Sequence, residues 1–284
     1  GSFTPGTPEW EEARGGLCVT ATEIAAVVGL SPWQSRFSLW HKKAGLPSPP
    51  FQSNPAMEWG NRLEPAVAQK WAEVNEAAAV SEAGTWRHAD REWQRATPDR
   101  LVCGTDGAWS LLEVKTSPMG DGWEHGLPVY YQTQIQWQLD TLGLTRCHVA
   151  LLVSGHDYRE FTVEYAPDDA RLLRDAAQRF LADVRGGVRP PIDDSDATYQ
   201  TVRHQAAGRE DIDVEIPADI AARYQAAGAD AKAAEAAKRQ AAAQVLDLIG
   251  TGYRATCDGR RIAYRTTNPD GTTKALQPYK EHAA

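Results

Sequence analysis

The sequence predicts a mixed α/β domain, a central mixed sheet with helices on both sides, followed by a C-terminal appendage of helix and β-hairpin. Three observations lead there. Strand-like segments, Leu112–Lys115, Cys147–Val153 and Phe161–Tyr165, alternate with segments of helical apolar spacing. All ten tryptophans lie between Trp10 and Trp137, which marks an aromatic-rich body in the first half. From Ile220 to Ile249 the chain turns to Ala with Lys, Glu, Gln and Arg, a strongly helix-forming composition.

The elements follow in order. In Thr20-Ala21-Thr22-Glu23-Ile24, Thr22 or Thr20 is expected to cap a short helix whose Ile24, Val27 and Val28 face the core. Leu63, Val67, Trp71 and Val74 recur at helical spacing after Met57-Glu58-Trp59-Gly60, and Glu64 lies on the side of that stripe. A carboxylate there needs a partner, a cation or an arginine. Around Ala96-Thr97-Pro98-Asp99 and Leu112-Glu113-Val114-Lys115 two strands are expected, joined by the turn-rich Cys103–Gly107. A helix then places Tyr131, Gln134 and Gln138 on one side and Ile135, Leu139 and Leu142 towards the core. A buried strand over Cys147–Val153 and an alternating one at Phe161, Val163 and Tyr165 follow. A helix from about Asp168 to Arg185 buries Leu173, Ala176, Phe180 and Val184. Arg189-Pro190-Pro191 and the acidic Asp193–Asp196 mark a boundary. This divides the chain into residues 1–192 and an accessory region, 193–284. There, 220–249 reads as one long helix or as a helical hairpin around Gly228, and Asn268-Pro269-Asp270-Gly271 as the turn of a basic hairpin carrying Arg254, Arg260, Arg261 and Arg265.

The chemistry concentrates in one pair of segments. Glu113 and Lys115, two apart on a strand, project from the same face, and folding back the preceding strand brings Asp99 beside them. Two carboxylates can hold Mg²⁺ or Mn²⁺, and a lysine can orient water, which is equipment for hydrolysing a phosphodiester. A nearby metal would disfavour the charged form of Lys115 and the carboxylates would favour it; the sequence leaves that balance open.

Taken together, Thr-Ala-Thr-Glu-Ile, Trp-Gly-x-x-x-Glu, Thr-Pro-Asp…Glu-x-Lys and Tyr-x-x-Gln-x-Gln, in this order over residues 10–165, resemble the phage lambda exonuclease and YqaJ-type viral recombinase family. That family belongs to the PD-(D/E)XK nuclease superfamily, so the resemblance implies a restriction-endonuclease-like core. It further implies a Mg²⁺-dependent deoxyribonuclease, typically a 5′→3′ exonuclease on linear duplex DNA, working with a single-strand annealing protein and forming a ring-shaped trimer. Asp99, Glu113, Glu64 and the carbonyl of Val114 would serve the metal, and Lys115 the attacking water. Arg14, Thr22, Thr97 and Gln134 would bind the 5′-phosphate. An endonuclease or nickase on the same core, and a non-catalytic DNA-binding scaffold, are the other readings.

Composition narrows the classes. A net charge of −8 runs against a generic nucleic-acid binder, although it does not set the local potential of a groove. Cys18, Cys103, Cys147 and Cys257 form no Cys-x-x-Cys pair, which argues against zinc and iron–sulfur ligation. His148 reads as a core histidine, and Trp33, Trp40, Trp59 and Trp123 as core residues or as base-stacking ones. With no bilayer-length apolar run and no signal-peptide pattern, a cytoplasmic protein of phage or prophage type in a bacterial host is expected.

Overall fold

The structure is a computed structural model that describes residues 7–9, 12, 16–50, 52–77, 79–205, 208 and 210–279. It divides into two compact units, residues 1–208 and 209–284.

A five-stranded sheet forms the centre of the first unit. Its strands are β2 (Ala79–Glu82), β5 (Arg100–Cys103), β6 (Trp109–Ser117), β7 (Arg146–Val153) and β8 (Asp157–Glu164), in the order β2-β5-β6-β7-β8. Only β6 and β7 run parallel, with Glu113 opposite Val149 and Lys115 opposite Leu151. Parallel neighbours need a crossover, and the helix Val129–Leu142 between them provides it. The sheet is therefore mixed, as the alternation of strand and helix patterns implies.

Period two on β6 sorts its residues to two faces. Leu112 and Val114 join Val67, Ala68 and Trp71 of the long helix Pro55–Val74 in one apolar cluster. Leu111 joins Ile135 and Leu139 of the crossover helix in another. Glu113 and Lys115 share the face of Leu111, so a carboxylate and a lysine lie beneath the crossover helix. Gly60 has a specific task here: a Cβ on it would come within 3.3 Å of Thr116 Oγ1, so glycine lets the long helix lie close to β6.

A small sheet of β1 (Val19–Thr20), β4 (Gln94–Ala96) and β3 (Trp86–Arg87) lies in the same unit. In chain order the helices are α1 (Ile24–Val27), α2 (Arg36–Lys43), α3 (Pro55–Val74), α4 (Val129–Leu142), α5 (Pro167–Arg185) and α6 (Asp196–Gln205). Residues from α1, α2 and α5 form a third cluster with Trp137 of α4. The first unit takes in α6, beyond the boundary expected at residue 192. Buried Thr198 donates to Ser35 Oγ at 2.7 Å and ties α6 to the start of α2.

Neither threonine caps α1. Its N-cap position is Glu23, whose carboxylate turns back to accept the amide hydrogen of Thr20 at 3.0 Å and pairs with Lys43 at 2.9 Å. His148 is half-buried and lies against the ring of Trp71 at 4.9 Å rather than deep in the core.

The second unit contains α7 (Ala218–Ile249), one uninterrupted helix through Gly228 with no buried residue. It also holds a three-stranded antiparallel sheet ordered β11-β10-β9, from β9 (Arg254–Cys257), β10 (Arg260–Thr267) and β11 (Thr273–Pro278). The expected hairpin is β10–β11, turned at Asn268, whose carbonyl accepts from Gly271 N at 3.0 Å. Strand β9 adds a third member that its sequence did not announce. No helix among the described residues is long and apolar enough to cross a membrane.

Candidate active site

The site grows out of the end of a strand ladder. Strands β5 and β6 are antiparallel with Arg100 opposite Leu112. Continued by one pair of ladder steps, that register sets Pro98 opposite Val114. Proline has no amide hydrogen, so it cannot donate to the Val114 carbonyl, and the ladder stops. Asp99 takes over instead: its Oδ2 accepts the amide hydrogen of Val114 at 2.7 Å. In a strand the N–H and C=O of one residue point the same way, so the Val114 carbonyl faces the same edge, opposite a residue with no amide hydrogen.

Beside it, Glu113 is only 2% exposed. Such a buried carboxylate requires donors, and three converge. Lys115 Nζ and Gln134 Nε2 each donate to Oε1 at 2.5 Å, and Gln138 Nε2 donates to Oε2 at 2.9 Å. Gln134 and Gln138 are one helical turn apart on α4, so both amides reach one carboxylate. Buried Gln138 Oε1 accepts no hydrogen bond among the described residues, so Glu113 is the partner that holds this side chain.

Electrostatics set the charge states. Burial and the negative Glu113 push the Asp99 carboxyl up to about 8, with Glu64 adding to the effect; Lys115 and the Val114 amide oppose it. Burial works against the charge on Lys115, but Glu113 and Asp99 outweigh it and raise its pKa above the ordinary lysine value. Lys115 also lies over the Tyr131 ring, 4.8 Å from its centroid. Glu64 has an arginine partner: Arg100 Nη1 donates to its Oε1 at 2.7 Å and to the Asp99 carbonyl at 2.7 Å.

The donor set fits a hard cation. Asp99 Oδ2 accepts from the Val114 amide, and burial and the negative Glu113 raise the Asp99 carboxyl. The Val114 carbonyl opens to the same edge, and Glu113 adjoins it. Among the described residues no three His, Cys, Asp or Glu side chains are grouped to hold a metal by themselves. Mg²⁺ or Mn²⁺, which accept a carbonyl and waters in their shell, suit two carboxylates better than a metal needing an all-side-chain cage.

The residues expected at a phosphate are dispersed in role. Thr97 Oγ1 lies 3.0 Å from Thr85 Oγ1, and exposed Thr22 has its hydroxyl 3.2 Å from that of Thr20. Gln134 gives its amide hydrogen to Glu113. Arg14 lies outside the described residues. Two groups had no role assigned from sequence: Arg100, one of several basic residues near the site motifs, and Gln138, on the same helical side as Gln134.

One further polar cluster supports the site from behind. Asp140 of α4 is 8% exposed. Its Oδ2 accepts from Gln94 at 2.8 Å and Arg91 at 3.0 Å, and its Oδ1 from Arg174 at 2.6 Å and Tyr165 at 2.7 Å. It fixes α4, and hence Gln134 and Gln138, against β4 and α5.

A mixed sheet flanked by helices, with Pro98-Asp99 and Glu113-Val114-Lys115 at its centre, is a restriction-endonuclease-like core. Residues 9–146, just under half of the chain, match the YqaJ-like viral recombinase domain. Protein YqaJ of Bacillus subtilis (strain 168), itself uncharacterized, is 26% identical over 210 residues, covering 71% of this chain. The match spans 64% of that relative's length, less than two thirds. Among solved structures, the alkaline exonuclease LHK-Exo of Laribacter hongkongensis superposes with a TM-score of 0.52 at 23% identity, covering 64% of this chain and 94% of its own. Its complex with dAMP gives 0.53 at 24% identity, with coverage of 64% and 94%. At this identity the likeness establishes the fold.

Proposed function

We propose that this protein is a Mg²⁺- or Mn²⁺-dependent DNA exonuclease of the viral-recombinase type. It would degrade one strand of linear duplex DNA from 5′ ends and hand the exposed strand to an annealing protein. The observation that carries the reading is the Asp99 carboxylate, set by Val114 beside the Glu113–Lys115 pair, with the Val114 carbonyl at the same edge. LHK-Exo, which shares the fold, has been solved in complex with dAMP, and this supports a nucleic-acid ligand for the present chain.

Asp99, Glu113 and the Val114 carbonyl would hold the cation, with Glu64 contributing negative charge nearby. A bound divalent ion supplies a lowered pKa for water and neutralises charge on the phosphodiester. Lys115, whose Nζ is held at 2.5 Å by Glu113, would orient the attacking water. Gln134 and Gln138 keep the Glu113 carboxylate in one orientation. Thr22, Thr97 and Arg14 are assigned to the terminal 5′-phosphate, with Gln134 placed to exchange its Glu113 contact for a phosphate oxygen. A trimer encircling the duplex is part of the same proposal.

The test is digestion of linear duplexes with 5′-phosphate or 5′-hydroxyl ends, and of a covalently closed circle, in Mg²⁺ and in EDTA. Wild type and Lys115→Ala are run together. Metal-dependent loss of the 5′-phosphorylated linear DNA by wild type alone, with the circle spared, is expected. Cutting of the circle would replace the exonuclease with an endonuclease, and no cleavage at all would reject catalysis.

A further inference from the structure

Trp33 is 65% exposed. A large indole left in water is a poor use of apolar surface unless something covers it. The segment that presents it is firmly built. Ser31 Oγ accepts the amide hydrogens of Trp33 at 3.3 Å and Gln34 at 3.1 Å. Ser35 then starts α2 with a reciprocal capping box through Ser38. Arg36 anchors the start of that helix to the Val27 carbonyl at 2.8 Å and to Asp183 at 3.0 Å. The exposed ring is thus held in place before any ligand arrives, which lowers the entropic cost of binding.

Its surroundings lead to the catalytic lysine. Trp33 meets Tyr130 nearly at right angles, with centroids 4.9 Å apart, and lies 6.0 Å from Tyr131. Tyr131 is the ring beneath Lys115 Nζ, and it also meets Tyr130 at 4.5 Å and Trp123, stacked at 5.4 Å. Among the described residues no ring stacks parallel on Trp33. Bases along one strand are spaced by about 3.4 Å, so a short stretch of DNA held at Lys115 reaches Trp33. Tyr130 and Tyr131 are half-buried, whereas Trp33 is exposed.

We propose that Trp33 stacks on a nucleobase within the first few nucleotides of the strand being cut, holding the frayed end over the site. This rests on the nuclease reading above and adds a ligand-contacting residue to it. A planar base suits a rigid exposed indole, and stacking tolerates every sequence because each base has a π-face.

The experiment uses a 5′-phosphorylated duplex with 2-aminopurine near the 5′ end, in EDTA, with wild type, Trp33→Ala and Trp33→Phe. Fluorescence quenching reports stacking, anisotropy reports affinity, and thermal melts verify folding. Wild type and Trp33→Phe are expected to quench, while Trp33→Ala loses the quenching and binds roughly tenfold more weakly. Equal quenching and affinity for Trp33→Ala overturns the proposal. Cleavage in Mg²⁺ is followed in parallel. Wild type that cleaves while Trp33→Ala binds identically defeats the stacking role alone. Trp33-dependent quenching without any cleavage defeats the nuclease reading alone.

Discussion

Asp99 substitutes for a strand partner of Val114: its carboxylate accepts, at 2.7 Å, the amide hydrogen that a carbonyl at Pro98 would otherwise receive. One proline therefore ends the ladder, frees a backbone carbonyl and puts a carboxylate at the same edge.

This arrangement is costly without a cation. Because the Asp99 carboxyl is raised to about 8 in the fold, the folded protein binds a proton more readily than the unfolded chain. Stability is then expected to rise as pH falls through about 8 towards the ordinary carboxylate value. Asp99→Asn keeps an oxygen for the Val114 amide and removes the charge. It should melt higher than wild type in EDTA at pH 9, with the gap narrowing near pH 6. Mg²⁺ should raise the wild-type midpoint and leave Asp99→Asn unchanged. Differential scanning calorimetry at the two pH values reads all of this.

Pro98→Ala restores an amide hydrogen opposite Val114. The ladder can then extend, and the carbonyl acquires a donor. Thermal stability is expected to hold or rise, while cleavage at saturating Mg²⁺ falls roughly tenfold, the size of a lost outer contact to a metal site. Wild-type cleavage by Pro98→Ala would show that the carbonyl does not matter.

Gln138 donates to Glu113 Oε2 from a fully buried position. Gln138→Leu preserves volume and helix while leaving that oxygen without its donor. Cleavage should drop roughly 10–100-fold, with the loss in kcat larger than in KM for DNA. A change confined to stability would assign Gln138 a purely structural role.

Much of this was legible in the sequence because it is local. Period two on β6, the turn at Cys103–Gly107 and the apolar spacing of α3, α4 and α5 are each written within a few residues. Contacts between distant segments were not. Asp140 meets Arg91, Gln94, Tyr165 and Arg174 from four places in the chain, and each residue alone reads as surface charge or polarity. Glu23 was passed over for its neighbouring threonines, because its partner Lys43 lies on another helix. Exposure was equally hidden: buried Trp40 and Trp123 look no different in sequence from Trp33 and from Trp59, which is 61% exposed.

The Asp140 cluster gives a separate pH signature. Burial alone would raise its pKa, but hydrogen bonds from Gln94 and Tyr165 and the charges of Arg174 and Arg91 hold it below the usual carboxylate range. Its contribution to stability is therefore present above the unfolded carboxylate value and lost as pH falls through the folded one. Asp140→Asn should cost about 2–4 kcal/mol at pH 7, from breaking a largely buried charge cluster. The difference from wild type should shrink towards pH 3. Urea unfolding at both pH values measures it.

The most direct test of the central assignment is single-turnover cleavage of a 5′-phosphorylated linear duplex by wild type and Asp99→Asn, with Mg²⁺ and with EDTA. If Asp99 helps hold the catalytic cation, wild type cleaves only with Mg²⁺ and Asp99→Asn is inert while still folded and still binding DNA. Cleavage by Asp99→Asn at the wild-type rate would contradict the assignment of the site.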